Sequence, residues 1–316
     1  MTEFELIARI GQLFEEMPRN GFEEPGDDCT VLGVGCGESL LFTADLLTEG
    51  IHFLRATTPP YELGRKALAV NLSDVAAMGG RSVATLLSLA LPPDAADDWA
   101  EAFLQGYRDL SAEEGVTLAG GDTTSSRRDI TVNVTVIGRA ADRCIKRRSD
   151  ARAGDAIVVA GALGASGAGL RDLLAGRTDT PNARIHNAPV AQTAEGVWLG
   201  ERTEVHAMMD LSDGLASDLR HIMERSHVGA AIDVERIPVA AGADLAAAVT
   251  GGEDYKLLFT AAPEALPELR RAFEARFGRP LHPIGTITDT AADGAIVWLD
   301  RGRRIRPDWH GYEHNA

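Results

Sequence analysis

Acidic residues recur in this chain where an apolar run meets a glycine turn. Asp27 and Asp28 lie in PGDDCTV, Asp45 closes LLFTAD and Asp122 closes TLAGGD. Asp210 and Asp213 stand in MDLSDGLASDL, and Glu253 and Asp254 in GGEDYKLLF. Such junctions are where α/β folds place ligand groups. A single Asp after a strand is ordinarily a turn or N-cap residue; the repetition points to a shared task. Asp74 belongs with them, because it sits inside the apolar helical pattern AVNLSDVAAMGG, where aspartate is disfavoured and its burial costly. Buried carboxylates need positive partners, and these motifs hold too few basic residues to supply one each. Divalent cations supply that charge, and oxygen donors suit Mg²⁺ shared between carboxylates and substrate phosphates. No HExxH, histidine cluster or cysteine pair appears, which argues against zinc.

Phosphate grips are sparse. The chain has no P-loop signature and no protein-kinase motif set. GALGASGAGL (161–170) spaces glycines ahead of a helix, where an anion could bind or the helix could simply pack closely. GVGCG (33–37) lacks the dinucleotide fingerprint and reads as a hairpin turn. Lys146, Arg147, Arg148 and Arg152 form the one basic cluster, either a solvated loop or a phosphate grip. With 31 basic and 47 acidic residues the formal charge is −16, which argues against a nucleic-acid-binding surface. Three cysteines without a CxxC pair fit a reducing compartment. No signal peptide is read at MTEFELIARIGQLF, and no apolar run approaches the roughly 20 residues of a membrane span. The expectation is a cytoplasmic protein that does not engage membranes.

The elements that must position these acids follow from periodicity. Helices are expected over 3–16, from Pro60 to the Gly79–Gly80 stop, and over about 97–114. SLLFTAD is a strand ending at Asp45, SVATLLSLALP a buried strand, VTLAGGDTT a strand running into a turn, and ITVNVTVIG an alternating strand. The charged stretch 139–155 marks a boundary between domains at 1–140 and 150–316. Beyond it follow strand AIVVAG, a glycine turn, a helix, a Pro/Asn loop and a helix near 188–199. VHAMMDLSDGL then leads into a helix to His227, strand GAAIDVERI, a short helix, strand DYKLLFTA, a helix and two closing strands. The fold class is α/β (α+β), in two halves of similar size.

Taken in order, PGDDCTV, TADLLTEGIHF, GRKALAVNLSDVAAMGG, LAGGDTT, MDLSDGLASDL, GGEDYKLLF and the terminal DWHGYEH resemble the thiamine-monophosphate kinases. That family belongs to the ATP-binding superfamily of aminoimidazole ribonucleotide synthetase and selenophosphate synthetase. The resemblance spans about residues 4–314. It implies the two-domain aminoimidazole ribonucleotide synthetase-like fold, with N-terminal domains pairing in a homodimer and a C-terminal domain closing the site. It also implies ATP-dependent phosphorylation of thiamine monophosphate with several Mg²⁺ ions. By motif, Asp28, Asp45, Asp74, Asp122, Asp210 and Asp213 match the family's metal ligands, and Thr43 a hydroxyl ligand. Ala44 replaces a residue that often carries a hydroxyl, so any ligation there would use its carbonyl. Tyr107, Gly121, Asp122, Arg148 and Ser212 match nucleotide contacts; His52, Glu253 and Tyr312 match thiamine-phosphate contacts. Lys256 stands where an acid is common and reverses a charge beside Glu253, whereas Asp218 reads as a helix-surface charge.

Both substrates are anionic, so catalysis would rest on charge neutralisation and positioning, with direct in-line transfer and no general base. Two other readings are separable from this one. A selenophosphate synthetase-like kinase would need a reactive cysteine that Cys29 and Cys36 do not convincingly match. A non-catalytic nucleotide sensor would have no need for so many acids.

Overall fold

The computed structural model describes residues 3–14, 16–95, 97–289 and 295–311. The N-terminal half comprises α1 (Glu3–Phe14), β1 (Thr30–Gly35), β2 (Glu38–Thr48), α2 (Pro60–Ala77), β3 (Arg81–Leu91), α3 (Asp97–Glu114), β4 (Thr117–Ser125) and β5 (Thr131–Ala141). Among the described residues its strands form a five-stranded sheet in the order β1-β2-β5-β3-β4. All neighbours are antiparallel except β3 and β4. One face is covered by α2 and α3, whose side chains with Val132, Val134 and Val136 of β5 make the first core. The GVGCG hairpin turn joins β1 to β2, with positive φ at Gly35, Cys36 and Gly37.

The C-terminal half contains β6 (Ala156–Val159), α4 (Ala165–Leu174), α5 (Pro181–Asn187), α6 (Thr193–Gly200), β7 (Val205–Asp210) and α7 (Leu215–Ser226). It continues through β8 (Gly229–Asp233), α8 (Leu245–Thr250), β9 (Leu257–Ala261), α9 (Leu266–Phe277), β10 (His282–Thr288), β11 (Val297–Asp300) and β12 (Arg303–Ile305). Its described strands form a seven-stranded sheet, β12-β11-β8-β10-β6-β9-β7. Two apolar cores lie on its faces, one under α7 and α8, the other under α6 and α9.

Several sequence expectations need correction. β2 does not stop at Asp45 but runs to Thr48, because its full length pairs with β5. β4 is strand throughout: the glycine pair and Asp122 stay extended because β3 pairs alongside as far as Ser125. β3 is buried on one face only, and its apolar Val83 and Leu86 face outward. The Pro/Asn loop contains α5, started by Thr180, whose hydroxyl accepts from the Ala183 N–H. There are three closing strands, not two.

The helix that carries the central acid is held by close backbone approach. At the α2–α3 crossing, a Cβ on Gly64 would lie 2.0 Å from the Phe103 carbonyl oxygen, and one on Gly106 would lie 1.9 Å from that of Tyr61. Only hydrogen fits at either position. Gly106→Ala should therefore force the helices apart and destabilise the fold by about 2–3 kcal/mol, read by urea unfolding. An unchanged midpoint would show that the crossing relaxes freely.

Candidate functional site

α2 is buried along most of its length because both halves pack on it: thirteen of its eighteen residues are buried. Its Asp74 accepts a hydrogen bond from Thr43 of β2, and its Ser73 donates to Asp210 at the end of β7. Asn71 accepts from the Asp45 N–H at 3.0 Å and Asn133 of β5 donates to the Asp45 carbonyl at 3.0 Å, which pins the strand carrying that acid. The result is a convergence of both halves. One carboxylate oxygen from each of Asp28, Asp74 and Asp210 lies within 4.8 Å of the others.

The electrostatics of this triad are severe. Burial raises the Asp28 carboxyl above its usual range, with Arg148 working against the shift. Burial, then Asp45, Asp210 and Asp28, push Asp74 well above the carboxylate range. Asp210 rises to about 8, from burial and the Asp28 charge, despite Ser73 and Arg148. Asp45 rises to about 6, from burial and then Asp213 and Asp28. Arg148 answers the group: its Nη2 donates to Asp28 Oδ1 at 2.7 Å. Burial works against its charge, yet Asp28 holds the guanidinium more firmly protonated than usual. Within this cluster two buried atoms, Asp28 Oδ2 and Arg148 Nε, are left without a hydrogen-bond partner among the described residues. An orphaned carboxylate oxygen within an all-oxygen, charge-repelling cluster fits a hard divalent cation.

Beside the triad opens a cavity of about 790 Å³ between the two halves. Asp45 and His52 line it from the N-terminal half; Ser212, Asp213 and Glu253 line it from the C-terminal half. The Thr48 N–H donates to His52 Nδ1 at 3.1 Å, so His52 is fixed in the tautomer with its proton on Nε2. Glu253 sits in the left-handed region at φ 63°, and its N–H donates to the Ser212 carbonyl at 2.7 Å. A Cβ on Gly252 would fall 2.6 Å from that same Ser212 oxygen, so the two motif loops are wedged together. Burial opposes the charge of Glu253, but the Lys66 ammonium leads the influences that outweigh it and hold the carboxyl below its usual range.

Other expected residues are placed differently. Asp122 stands on exposed β4, its carboxylate accepting from the Thr123 N–H. Asp45, Val134, Leu87 and Gly121 lie in line across four neighbouring strands, putting Asp122 three strands from Asp45, or roughly 14 Å at strand spacing. Within one chain that span is too long for Asp122 and Asp45 to hold the same ion. Gly121 has a structural reason of its own: at φ 152°, a Cβ would lie 1.7 Å from the Leu87 oxygen. Tyr107 is a core residue, 2% exposed, its hydroxyl donating to Thr85 at 2.8 Å. Its ring packs in the N-terminal core rather than lining the cavity. Ala44 is exposed on the face of β2 opposite Thr43 and Asp45. Tyr312 lies outside the described residues.

Family models for AIR synthase related protein match the chain over residues 26–140 for the N-terminal domain and 152–297 for the C-terminal domain. The thiamine-monophosphate kinase of Escherichia coli O157:H7 is 36% identical, with 99% of this chain and 98% of that one covered. The chain belongs to the thiamine-monophosphate kinase family. A solved structure described as AaThiL complexed with AMPPCP and TMP superposes with a TM-score of 0.83 at 30% identity, covering 99% of this chain and 97% of that one. The thiamine-monophosphate kinase structure from Stenotrophomonas maltophilia K279a gives 0.76 at 35% identity, covering 96% and 98%. No described helix is long and apolar enough to cross a membrane.

Within this thiamine-monophosphate kinase family member, three site features escape sequence reasoning. Asp218 is 1% exposed, not a surface charge, and accepts from the Asp213 and Gly214 N–H groups at 3.1 and 3.0 Å. It shapes the turn that presents Asp213. Asp254 takes the N–H groups of Gly164 and Ser166, so the glycine-rich turn before α4 already holds an anion, the chain's own. Lys66, buried in α2, pairs with Glu253 at 2.8 Å. Lys256 instead lays its stem over Gly161, and its charge faces Asp254. Of the basic cluster, Lys146 is tied to the Arg202 and Val205 carbonyls, each at 2.7 Å, and Arg147 to Glu23.

The raised carboxyls predict a pH dependence. Asp45 and Asp210 go from the ordinary 3.8 to about 6 and about 8, so the folded chain binds more protons than the unfolded one across that window. Stability without metal therefore falls as pH rises through it. The metal-free protein should melt at a lower temperature at about pH 8 than at about pH 5, and Mg²⁺ should raise the melting temperature more at the higher pH. A melting temperature indifferent to both pH and Mg²⁺ would contradict the cation reading of the triad.

Proposed function

We propose that this chain transfers the γ-phosphoryl group of ATP to the phosphate of thiamine monophosphate, giving thiamine diphosphate and ADP. The observation that carries the reading is the carboxylate triad adjoining a two-sided cavity. Asp28, Asp74 and Asp210 converge within 4.8 Å, and Asp45 and Asp213 carry the acidic surface into a space of about 790 Å³. Leu46, Leu47, Phe53 and Leu170 give that space apolar walls suited to a flat heterocycle, and His52 and Glu253 give it polar anchors. What the relatives' names and the ligands AMPPCP and TMP say of those proteins supports the same assignment.

In this reading Mg²⁺ is held by Asp28, Asp74 and Asp210, with Asp45, Asp213, Thr43 and Asp122 available to further ions. When bound, such ions neutralise phosphate charge and polarise the transferring group. Arg148 donates to phosphate oxygens; its Nε carries the unused hydrogen. Ser212 and the β4 stretch at Gly121 and Asp122 face the nucleotide, so one elongated polyanion bridges the roughly 14 Å between β4 and β2. His52 and Glu253 orient the acceptor. An acceptor phosphate oxygen attacks the γ-phosphorus as the bond to the β–γ bridging oxygen breaks, and ADP leaves with that electron pair. The acceptor oxygen is already ionised near neutral pH, with a second phosphate pKa of about 6, so no side chain must remove a proton. Pairing of N-terminal halves in a homodimer belongs to the same reading, supported by the exposed β4 and the outward Val83, Leu86 and Leu118. So does a cytoplasmic setting, where ATP is at hand.

Purified protein with ATP, Mg²⁺ and thiamine monophosphate should release ADP and form thiamine diphosphate in a coupled assay. Asp210→Asn should lower kcat on the order of a hundredfold to a thousandfold, since it removes transition-state charge stabilisation. ADP release without thiamine diphosphate, or an Asp210→Asn enzyme near wild type, would sink the assignment.

A further inference from the structure

Lys66 is the least expected charge in the cleft. Its side chain is 1% exposed, yet it projects from α2 of the N-terminal half to Glu253 of the C-terminal half, with Nζ at 2.8 and 2.9 Å from the two carboxylate oxygens. The same ammonium reaches the His52 carbonyl at 3.5 Å. It therefore touches both polar anchors of the acceptor cavity, one through its side chain and one through its backbone. Beyond Glu253 the array continues: His186 Nδ1 lies 3.3 Å from Oε2, and Ser166 Oγ lies 2.9 Å from the same nitrogen. Burial and the Lys66 charge push His186 down to about 4, so the imidazole is neutral and the compensating charge on Glu253 is that of Lys66.

A buried ion pair adds little net stability compared with apolar packing, because desolvation offsets the attraction. What it does provide is a fixed geometry. Glu253 starts from a left-handed backbone on a loop wedged against Ser212, and its two oxygens are gripped at once by one ammonium.

We propose that Lys66 is a positioning residue of the acceptor pocket, holding Glu253 and the His52 turn in register across the two halves of the chain. The proposal rests on the reading of the cavity as the acceptor site. Lys66 touches neither the triad nor the residues assigned to the nucleotide, so its loss should be felt by one substrate only.

Steady-state kinetics with each substrate varied in turn test this. Lys66→Met should raise KM for thiamine monophosphate by roughly tenfold or more, the scale of a lost charge-assisted hydrogen bond, while KM for ATP moves less than about twofold. Lys66→Arg should recover most of the loss. Glu253→Gln should behave like Lys66→Met, and the double variant should be no worse than either single one, since both act through the same contact. Equal rises in both KM values, or additive losses in the double variant, would overturn the proposal in favour of general destabilisation. If Lys66→Met does not fold, comparing Glu253→Gln with the double variant decides the same question, because that double variant leaves no buried charge unpaired. Absence of transfer in the wild type refutes the acceptor reading and this proposal with it; wild-type transfer with an unmoved acceptor KM refutes this proposal alone.

Discussion

Mutual repulsion among buried carboxylates is the constraint from which the rest of the molecule follows. Asp28, Asp74 and Asp210 are driven together by both halves of the chain, with Asp45 close enough to shift and be shifted by them and Asp213 close enough to shift Asp45. Arg148 is the guanidinium set against them, and it is committed to Asp28. One cation facing several acids leaves either bound protons or bound metal as the neutralising charge. At the pH of a cell the former is only partial, with Asp45 raised to about 6 and Asp210 to about 8. A cluster of this kind is less stable with its carboxyls ionised and unpaired than with their charge neutralised.

Holding such a cluster open requires backbone devices besides the ligand groups themselves. Asp218 turns two N–H groups of the Asp213–Gly214 corner inward upon itself, fixing the corner from behind. Asp254 does the same for the turn before α4, filling a helix N-terminus that would otherwise compete for an anion. Gly252 and Gly121 allow backbone to lie against backbone at distances that exclude any side chain. All four of these residues stand one to five positions from a residue assigned to metal or substrate. The motif sequences therefore combine ligands with the residues that aim them.

That mixture explains what could be read from the sequence. The acids that follow apolar runs were legible because aspartate there has few structural uses when it is repeated, although Asp45 and Asp122 stand within their strands rather than at the ends. Asp74 was legible because its helix offered it no solvent. Asp218 was not: four residues into a helix, a carboxylate looks solvated unless the loop before it folds back. Lys66 was hidden for the same reason, since a lysine in a helix reads as exposed until the packing on both sides of α2 is known. Tyr107 was assigned by resemblance to a ligand, whereas helix phase turns its ring into the core against Thr85. β3 read as buried because it is apolar on both faces, but only one face meets α2 and α3 within this chain. Sequence patterns register the polarity of a residue; they do not register which partner, intramolecular or otherwise, covers it.

α2 is the element on which these lines meet. Along one helix, Lys66 reaches Glu253, Asn71 pins Asp45, Ser73 reaches Asp210 and Asp74 joins the triad. Two of those contacts cross from the N-terminal half to the C-terminal half, and α2 also packs on α6 and β7. A hinge motion that parted the halves would have to break the Ser73–Asp210 hydrogen bond and the Lys66–Glu253 ion pair together. These two contacts hold the described cleft together before any ligand arrives. For a transfer between two anions that is the economical arrangement: donors and acids fixed before binding need no reorganisation when charge shifts along the reacting phosphates.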